Sequence, residues 1–183
     1  MSDTIDNQPV FRRFDNPWGE RPGPIEGYDT AQVCLNGHPI NALARSQPQH
    51  NQKFCGKCGA KTIIACPACN ANISGKYNSA TMLDLTPYYA ASFCHDCGKP
   101  YPWTEGRLKA ARDLAGEMEK LDTSEREALS KSLDDLVRET PQTQVAVTRF
   151  KKLMTKAGSV AAESFRKILV DVLAETIKKQ LWP

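Results

Sequence analysis

Four pairs of metal-ligating side chains punctuate the first half of the chain: Cys34 with His38, Cys55 with Cys58, Cys66 with Cys69, and Cys94 with Cys97. A Cys-x-x-Cys segment makes a tight knuckle that aims both sulfurs at one ion. Gly59 and Gly98 follow the second cysteine of two knuckles, where the reversing chain often needs positive φ. Pro67 presets the turn within Cys66-Pro-Ala-Cys69. Tetrahedral zinc takes four ligands, so four pairs suffice for two structural sites. Joining neighbours in sequence gives a Cys₃His site (Cys34, His38, Cys55, Cys58) and a Cys₄ site (Cys66, Cys69, Cys94, Cys97). The loops inside them are 16 and 24 residues long, ordinary for zinc ribbons. Interleaving Cys34/His38 with Cys66/Cys69, and Cys55/Cys58 with Cys94/Cys97, is the alternative. The sequential scheme is favoured because only seven residues separate Cys58 from Cys66, a ready bridge between two ribbons. His50 and His95 read as solvent-exposed.

Other uses of the cysteines fit less well. Seven thiols cannot all pair as disulfides. Residues 1–30 are polar and acidic with no apolar stretch, so no signal peptide is expected, and a reducing cytoplasm disfavours disulfides. No apolar run approaches the roughly 18 residues of a membrane span, so no membrane association is expected. Both sites would be closed by protein ligands, whereas a catalytic zinc keeps a position for water or substrate. The sequence also carries no Gly-rich phosphate loop, nucleophile elbow or His-Glu-x-x-His motif. The metal is therefore read as structural, supplying on the order of 10–16 kcal/mol per site to a segment poor in core residues.

Three regions follow from composition. Residues 1–27 form a Pro/Gly-rich arm in which Phe11, Phe14 and Trp18 either pack on the body or dock on a partner. Residues 28–103 hold every cysteine, with short extended pieces such as Tyr28–Val33 and Lys61–Ala65. Residues 104–183 turn rich in Ala, Leu, Glu, Lys and Arg at helical spacing. Four helices are expected there. The first, about Glu105–Leu121, buries Leu108, Ala111, Leu114, Ala115 and Met118. The second opens on a Ser124/Glu127 capping box and buries Leu129, Leu133, Leu136 and Val137. The third starts near Pro141, carries Val147, Phe150, Leu153 and Met154, and ends at Gly158. The fourth, about Ser159–Trp182, bears a continuous stripe of Phe165, Ile168, Leu169, Val172, Leu173, Ile177 and Leu181. The fold class is α+β: a small double zinc-ribbon followed by a bundle of three to four helices.

The segments Tyr28-Asp-Thr-Ala-Gln-Val-Cys-Leu-Asn-Gly-His38, Phe54-Cys-Gly-Lys-Cys-Gly-Ala60, Cys66-Pro-Ala-Cys69 and Phe93-Cys-His-Asp-Cys-Gly-Lys-Pro-Tyr-Pro-Trp-Thr-Glu105 resemble an uncharacterised bacterial family of small proteins. Its members carry an N-terminal zinc-ribbon segment followed by helices. The resemblance covers about residues 28–105 and implies paired zinc ribbons in a bacterial cytoplasm; it implies no activity.

Charge separates the functional readings. Residues 31–103 carry six Lys/Arg against two Asp, with no carboxylate between Ala31 and Leu83. Metal-bound cysteines are thiolates, so seven of them with two Zn²⁺ bring this segment to about +1 and the whole chain to about neutral. Any basic surface must be local. The leading expectation is a non-enzymatic zinc-binding adaptor or scaffold that engages a protein partner, or a second copy, through the last helix. The alternative is nucleic-acid binding by the ribbons, through Arg45, Lys53, Lys57, Lys61 and Lys76, with Tyr77, Tyr88 and Tyr89 for stacking. A third class is an enzyme or effector activated by a partner.

Overall fold

A computed structural model describes residues 27–78 and 86–182. The N-terminal arm with Phe11, Phe14 and Trp18 lies outside the described residues.

The ribbon half consists of short antiparallel pieces. β1 (Gly27–Thr30) pairs with β5 (Ser74–Asn78), and β2 (Gln32–Cys34) lies between β3 (Pro39–Asn41) and β4 (Thr62–Ile63). These strands are too short to bury much. What they bury is small and central: Ala31, Val33 and Ile73 are fully covered. Asp29 is buried too, and its carboxylate accepts from the backbone N–H groups of Thr30, Arg45 and Ser46, which pins the turn after β3.

Five helices follow among the described residues. α1 spans Pro102–Gly116, a turn earlier than the sequence suggests at both ends. Pro at the first helical position supplies the right φ and gives up an N–H that would be unpaired there anyway. At the far end Arg126 gathers carbonyls of the last helical residue and of the turn that follows: Nη1 donates to Gly116 O (3.1 Å), and Nε to Met118 O and Leu121 O (both 3.0 Å). A cation at a helix C-terminus also complements the helix dipole.

α2 (Thr123–Val137) does begin on a capping box, but on Asp122 and Glu125 rather than Ser124 and Glu127. The Glu125 N–H donates to Asp122 Oδ1 (2.9 Å), and the Asp122 N–H to Glu125 Oε2 (3.0 Å). Both candidate boxes have the same spacing. The earlier one wins because Leu121 just before it is buried and Lys156 reaches Glu125 at 2.6 Å, holding that carboxyl below its usual pKa.

α3 (Gln142–Ala157) ends at Gly158, whose φ of 102° lets the chain reverse directly into α4 (Ser159–Leu169). The long fourth helix expected to Trp182 is broken. α4 stops at Leu169, Val170–Ala174 turn, and α5 resumes at Glu175–Leu181. No Gly or Pro marks the break. Tertiary contacts make it: the Ser92 hydroxyl donates to Val172 O (3.1 Å), and Arg107 pairs with Asp171 (2.5 Å). The bend brings Val172, Leu173 and Ile177 all into the core and sets the Trp182 ring 6.3 Å from Phe150. Phe165, Leu169, Val172, Leu173 and Ile177, the heart of the expected seam, are thus buried within one chain. Among the described residues no helix is long and apolar enough to cross a membrane.

The compositional boundary at 103/104 falls inside the first turn of α1. One buried cluster crosses it, joining Ala31, Val33, Cys66, Ile73 and Cys94 through Tyr101 and Trp103 to Leu108, Leu133, Phe150 and Phe165. Tyr101 and Trp103 stack at 4.6 Å, and the indole N–H donates to Ala91 O (2.9 Å). The Thr104 hydroxyl donates to Ser92 O (2.7 Å). Trp103→Ala is therefore expected to cost about 3–5 kcal/mol in the metal-loaded chain. An unfolding free energy from chemical denaturation that changes by less than about 1 kcal/mol would show the ribbons and the bundle to be energetically independent.

Candidate metal centres

Each knuckle is built by the same backbone device. The first cysteine's N–H donates to the carbonyl five residues on, and its own carbonyl accepts from the N–H four residues on: Cys55 with Ala60 and Gly59, Cys66 with Ala71 and Asn70, Cys94 with Lys99 and Gly98. The residue before each first cysteine bridges the residue seven further along: Phe54 with Lys61, Ala65 with Asn72, Phe93 with Pro100. The fourth position after the first cysteine must then be left-handed, with φ of 70° at Gly59, 62° at Asn70 and 68° at Gly98. Asn serves in the middle knuckle because its short polar side chain tolerates that region. The Cys34/His38 segment is a tighter variant in which Gly37 donates to Cys34 O (2.9 Å) at φ 87°. A Cβ at Gly37 would lie 3.0 Å from Trp103, so this turn is the point where the first ribbon meets the bundle.

These turns gather the donors into two clusters, Cys34/His38/Cys55/Cys58 and Cys66/Cys69/Cys94/Cys97, with the ligand atoms of each within 4.8 Å of one another. The sequential pairing stands and the interleaved one does not. In the first, His38 Nδ1 is 3.6 Å from both Cys34 Sγ and Cys55 Sγ, and Cys34 Sγ is 3.8 Å from Cys58 Sγ. In the second, Cys66 Sγ lies 3.8 Å from Cys97 Sγ and Cys69 Sγ 3.7 Å from Cys94 Sγ. Tetrahedral zinc with Zn–S near 2.3 Å and Zn–N near 2.0–2.1 Å requires sulfurs about 3.8 Å apart and sulfur–nitrogen gaps of about 3.5 Å. A disulfide would need about 2.05 Å. The donor set and its spacing fit a tetrahedral ion.

The electrostatics make the same demand. The backbone N–H of Ala60, followed by the Asn36 carboxamide, draws the Cys58 thiol down to about 6. The backbone N–H of Cys97 does the same for Cys94, also to about 6. Burial pushes Cys34 up. Cys69 gains from the Ala71 N–H, but burial and the three sulfurs around it outweigh that and push it to about 12. Four sulfurs this close cannot all ionise against one another. A divalent cation removes the conflict.

Two second-layer donors escaped the sequence reading. Asn36 Nδ2 reaches Cys58 Sγ at 3.4 Å, and the His38 N–H reaches Cys34 Sγ at 3.3 Å. Such partners orient ligands and tune their basicity. Asn36 sits inside the Cys34-Leu-Asn-Gly-His38 motif, so its proximity was visible, but its direction was not. Tyr101 lies against the second cluster; burial first, and then the Cys94 sulfur, raise its pKa. His50 and His95 are exposed, the latter with Nδ1 3.4 Å from the Ser74 hydroxyl.

Residues 27–181 match a family described as uncharacterized proteins conserved in bacteria (DUF2321). The chain belongs to that family. The match takes in both clusters and all five helices rather than the knuckles alone. Neither comparison with curated proteins nor comparison with solved structures gives a match.

The pKa values of Cys58 and Cys94 set a pH window. Both lie below the ordinary thiol value near 8.5. Their thiolates therefore stabilise the fold fully above that value, and the contribution is lost as pH falls through about 6. Protons compete with the metal in the same range. A colorimetric chelator should detect little metal release at about pH 7.5 and rising release below about pH 6. Full retention at about pH 4 would contradict thiolate ligation.

Proposed function

We propose that the protein is a non-enzymatic zinc-ribbon adaptor of the bacterial cytoplasm, in which two structural zinc ions hold a rigid platform against a helical bundle. The observation that carries this reading is the closure of both clusters: each supplies four protein donors at tetrahedral spacing, which leaves no coordination position for water or substrate.

The adaptor role needs a surface to which both halves contribute. A groove of about 860 Å³ runs where the second ribbon meets the bundle, lined by Tyr89, Phe93 and Gly98 on one side and Val137, Arg138, Val172 and Leu173 on the other. Tyr89 is 79 % exposed at its edge, a rigid amphipathic ring of the kind that anchors interfaces. Glu139, Asp171, Glu175 and Lys178 give the rim both signs of charge, which suits a protein segment better than a polyanion. The C-terminal segment contributes here through its bend, since its apolar stripe is occupied by the chain's own core.

Elemental analysis of protein purified without added metal should give close to two zinc per chain. Cobalt substitution tests closure: the spectrum should show tetrahedral thiolate coordination and stay unchanged when azide or cyanide is added. A spectrum that shifts with either anion would reveal an open position and favour an enzyme. Tyr89→Ala should keep two zinc while losing protein partners that the wild type retains on purification from its native host. Identical partner sets would remove the groove from the reading.

A further inference from the structure

The three knuckles are alike in backbone but differ in what covers the residue ahead of each first cysteine. Ala65 is half-buried, and Phe93 is half-buried with the Arg138 guanidinium 5.2 Å from its ring centroid. Phe54, in the same position of the first ribbon, is 62 % exposed. It forms part of a recess of about 390 Å³ together with Lys53, Lys61, Gln32, Gln52 and Thr62. Lys61 faces Phe54 across the bridge that closes the knuckle, and Lys57 lies at the knuckle's tip. None of Lys53, Lys57 and Lys61 makes an ion pair among the described residues.

Assigning ligands to sites divides the charge unevenly. With zinc bound, Cys₃His carries about −1 and Cys₄ about −2. In residues 27–65 Arg45, Lys53, Lys57 and Lys61 stand against Asp29 alone, and Asp29 is buried and satisfied by backbone donors. The first ribbon is therefore left at about +2. Residues 66–101 balance Lys76 and Lys99 against Asp84 and Asp96, so the second ribbon falls to about −2. The positive surface that the whole-chain arithmetic dissolved survives on the first ribbon, and Phe54, the exposed ring ahead of a knuckle, is on that ribbon too.

We propose that the first ribbon binds single-stranded nucleic acid, with one base stacked on Phe54 and the flanking phosphates on Lys53, Lys57 and Lys61. This rests on the reading of Cys34, His38, Cys55 and Cys58 as a closed structural zinc site. Each part of the recess answers a part of that ligand. The exposed ring offers a π-face that any base can use. The lysines neutralise phosphate and release its counterions. The Gln52 side chain lines the same recess for a base edge, while the Thr62 hydroxyl is engaged with Gln52 O (2.5 Å) and Gln32 Nε2 (3.0 Å) and holds the wall. A purely acidic segment, such as polyglutamate, would answer the lysines and leave the ring unused. A duplex keeps its bases stacked on one another, so Phe54 could not reach a base face. The aromatic platform differs from the one expected from sequence. Tyr88 is engaged, its hydroxyl donating to Ser74 O (2.6 Å), and Tyr77 packs edge-on against Tyr28 at 5.4 Å, whereas Phe54 lies among the lysines.

The test is fluorescence anisotropy with the full zinc-loaded chain and labelled mixed-sequence DNA and RNA single strands, over a salt series, with a DNA duplex and polyglutamate as competitors. Phe54→Ala should weaken binding by about tenfold or more. Lys53→Ala/Lys61→Ala should weaken it and flatten the log–log salt slope by about 1.4. Lys151→Ala, on the exposed face of α3, should leave binding unchanged. Zinc content and circular dichroism are measured on every variant. Binding of the single strand that is absent at low salt, indifferent to Phe54→Ala, or displaced by the duplex or polyglutamate more readily than by unlabelled single strand would overturn the proposal. If the zinc content is two in those cases, the adaptor reading survives it; a chain that binds the strand with no zinc at the first cluster would overturn both.

Discussion

Sulfur atoms about 3.8 Å apart cannot share negative charge without a cation between them, and the ribbon half of this fold is organised around that requirement. Its strands are two to five residues long and bury only a few side chains of their own. Without metal the thiols divide, some drawn down by backbone N–H groups and others driven up by burial and by one another. With metal, each cluster becomes a cross-link between distant segments: residues 34–38 with 55–58, and 66–69 with 94–97. Every knuckle hydrogen bond then has a fixed frame to act in.

The influence of the clusters does not stop at the ribbons. Cys66 and Cys94 belong to the same buried cluster as Trp103, Leu133 and Phe165, so two metal ligands are also core residues of the whole chain. The joint is short and specific. Tyr101 closes onto the second cluster, Trp103 lies against Gly37 of the first, and Ser92 touches both Thr104 and Val172. A bundle whose first helix begins at Pro102, only five residues after the last ligand Cys97, has little freedom to sit anywhere else.

The eight candidate donors and their grouping into two clusters were legible in sequence because metal chemistry fixes both residue type and spacing. So were the core faces of α2 and α3, and Leu108, Ala111 and Ala115 of α1, whereas Leu114 and Met118 are only half-buried. Legibility failed where one local signal competed with another or with tertiary contact. Two capping boxes two residues apart look equivalent until Leu121 is seen to be buried. The break at Val170–Ala174 has no glycine or proline to announce it, since it is imposed by Ser92 and Arg107 from elsewhere in the chain. The end of α1 is met by Arg126, ten residues beyond its last turn. Composition suggested a boundary at 103/104 because ribbon and helix differ in residue usage; the contacts across it leave no trace in composition.

The pairing of β1 with β5 has a consequence for the order in which the chain can assemble. β1 leaves the ribosome first, yet its partner begins at Ser74, so the two-stranded sheet cannot close until some forty intervening residues have been made. All four donors of the first cluster, the last being Cys58, lie inside that loop and emerge before it closes. The first ion can thus be captured co-translationally, shortening the span that β1 and β5 must search to find each other. The second ion must wait for Cys97, by which time only Lys99, Pro100 and Tyr101 separate the last knuckle from the helix that will cover it. Were both clusters to take zinc during synthesis, the first ion would act as a nucleus and the second as a latch.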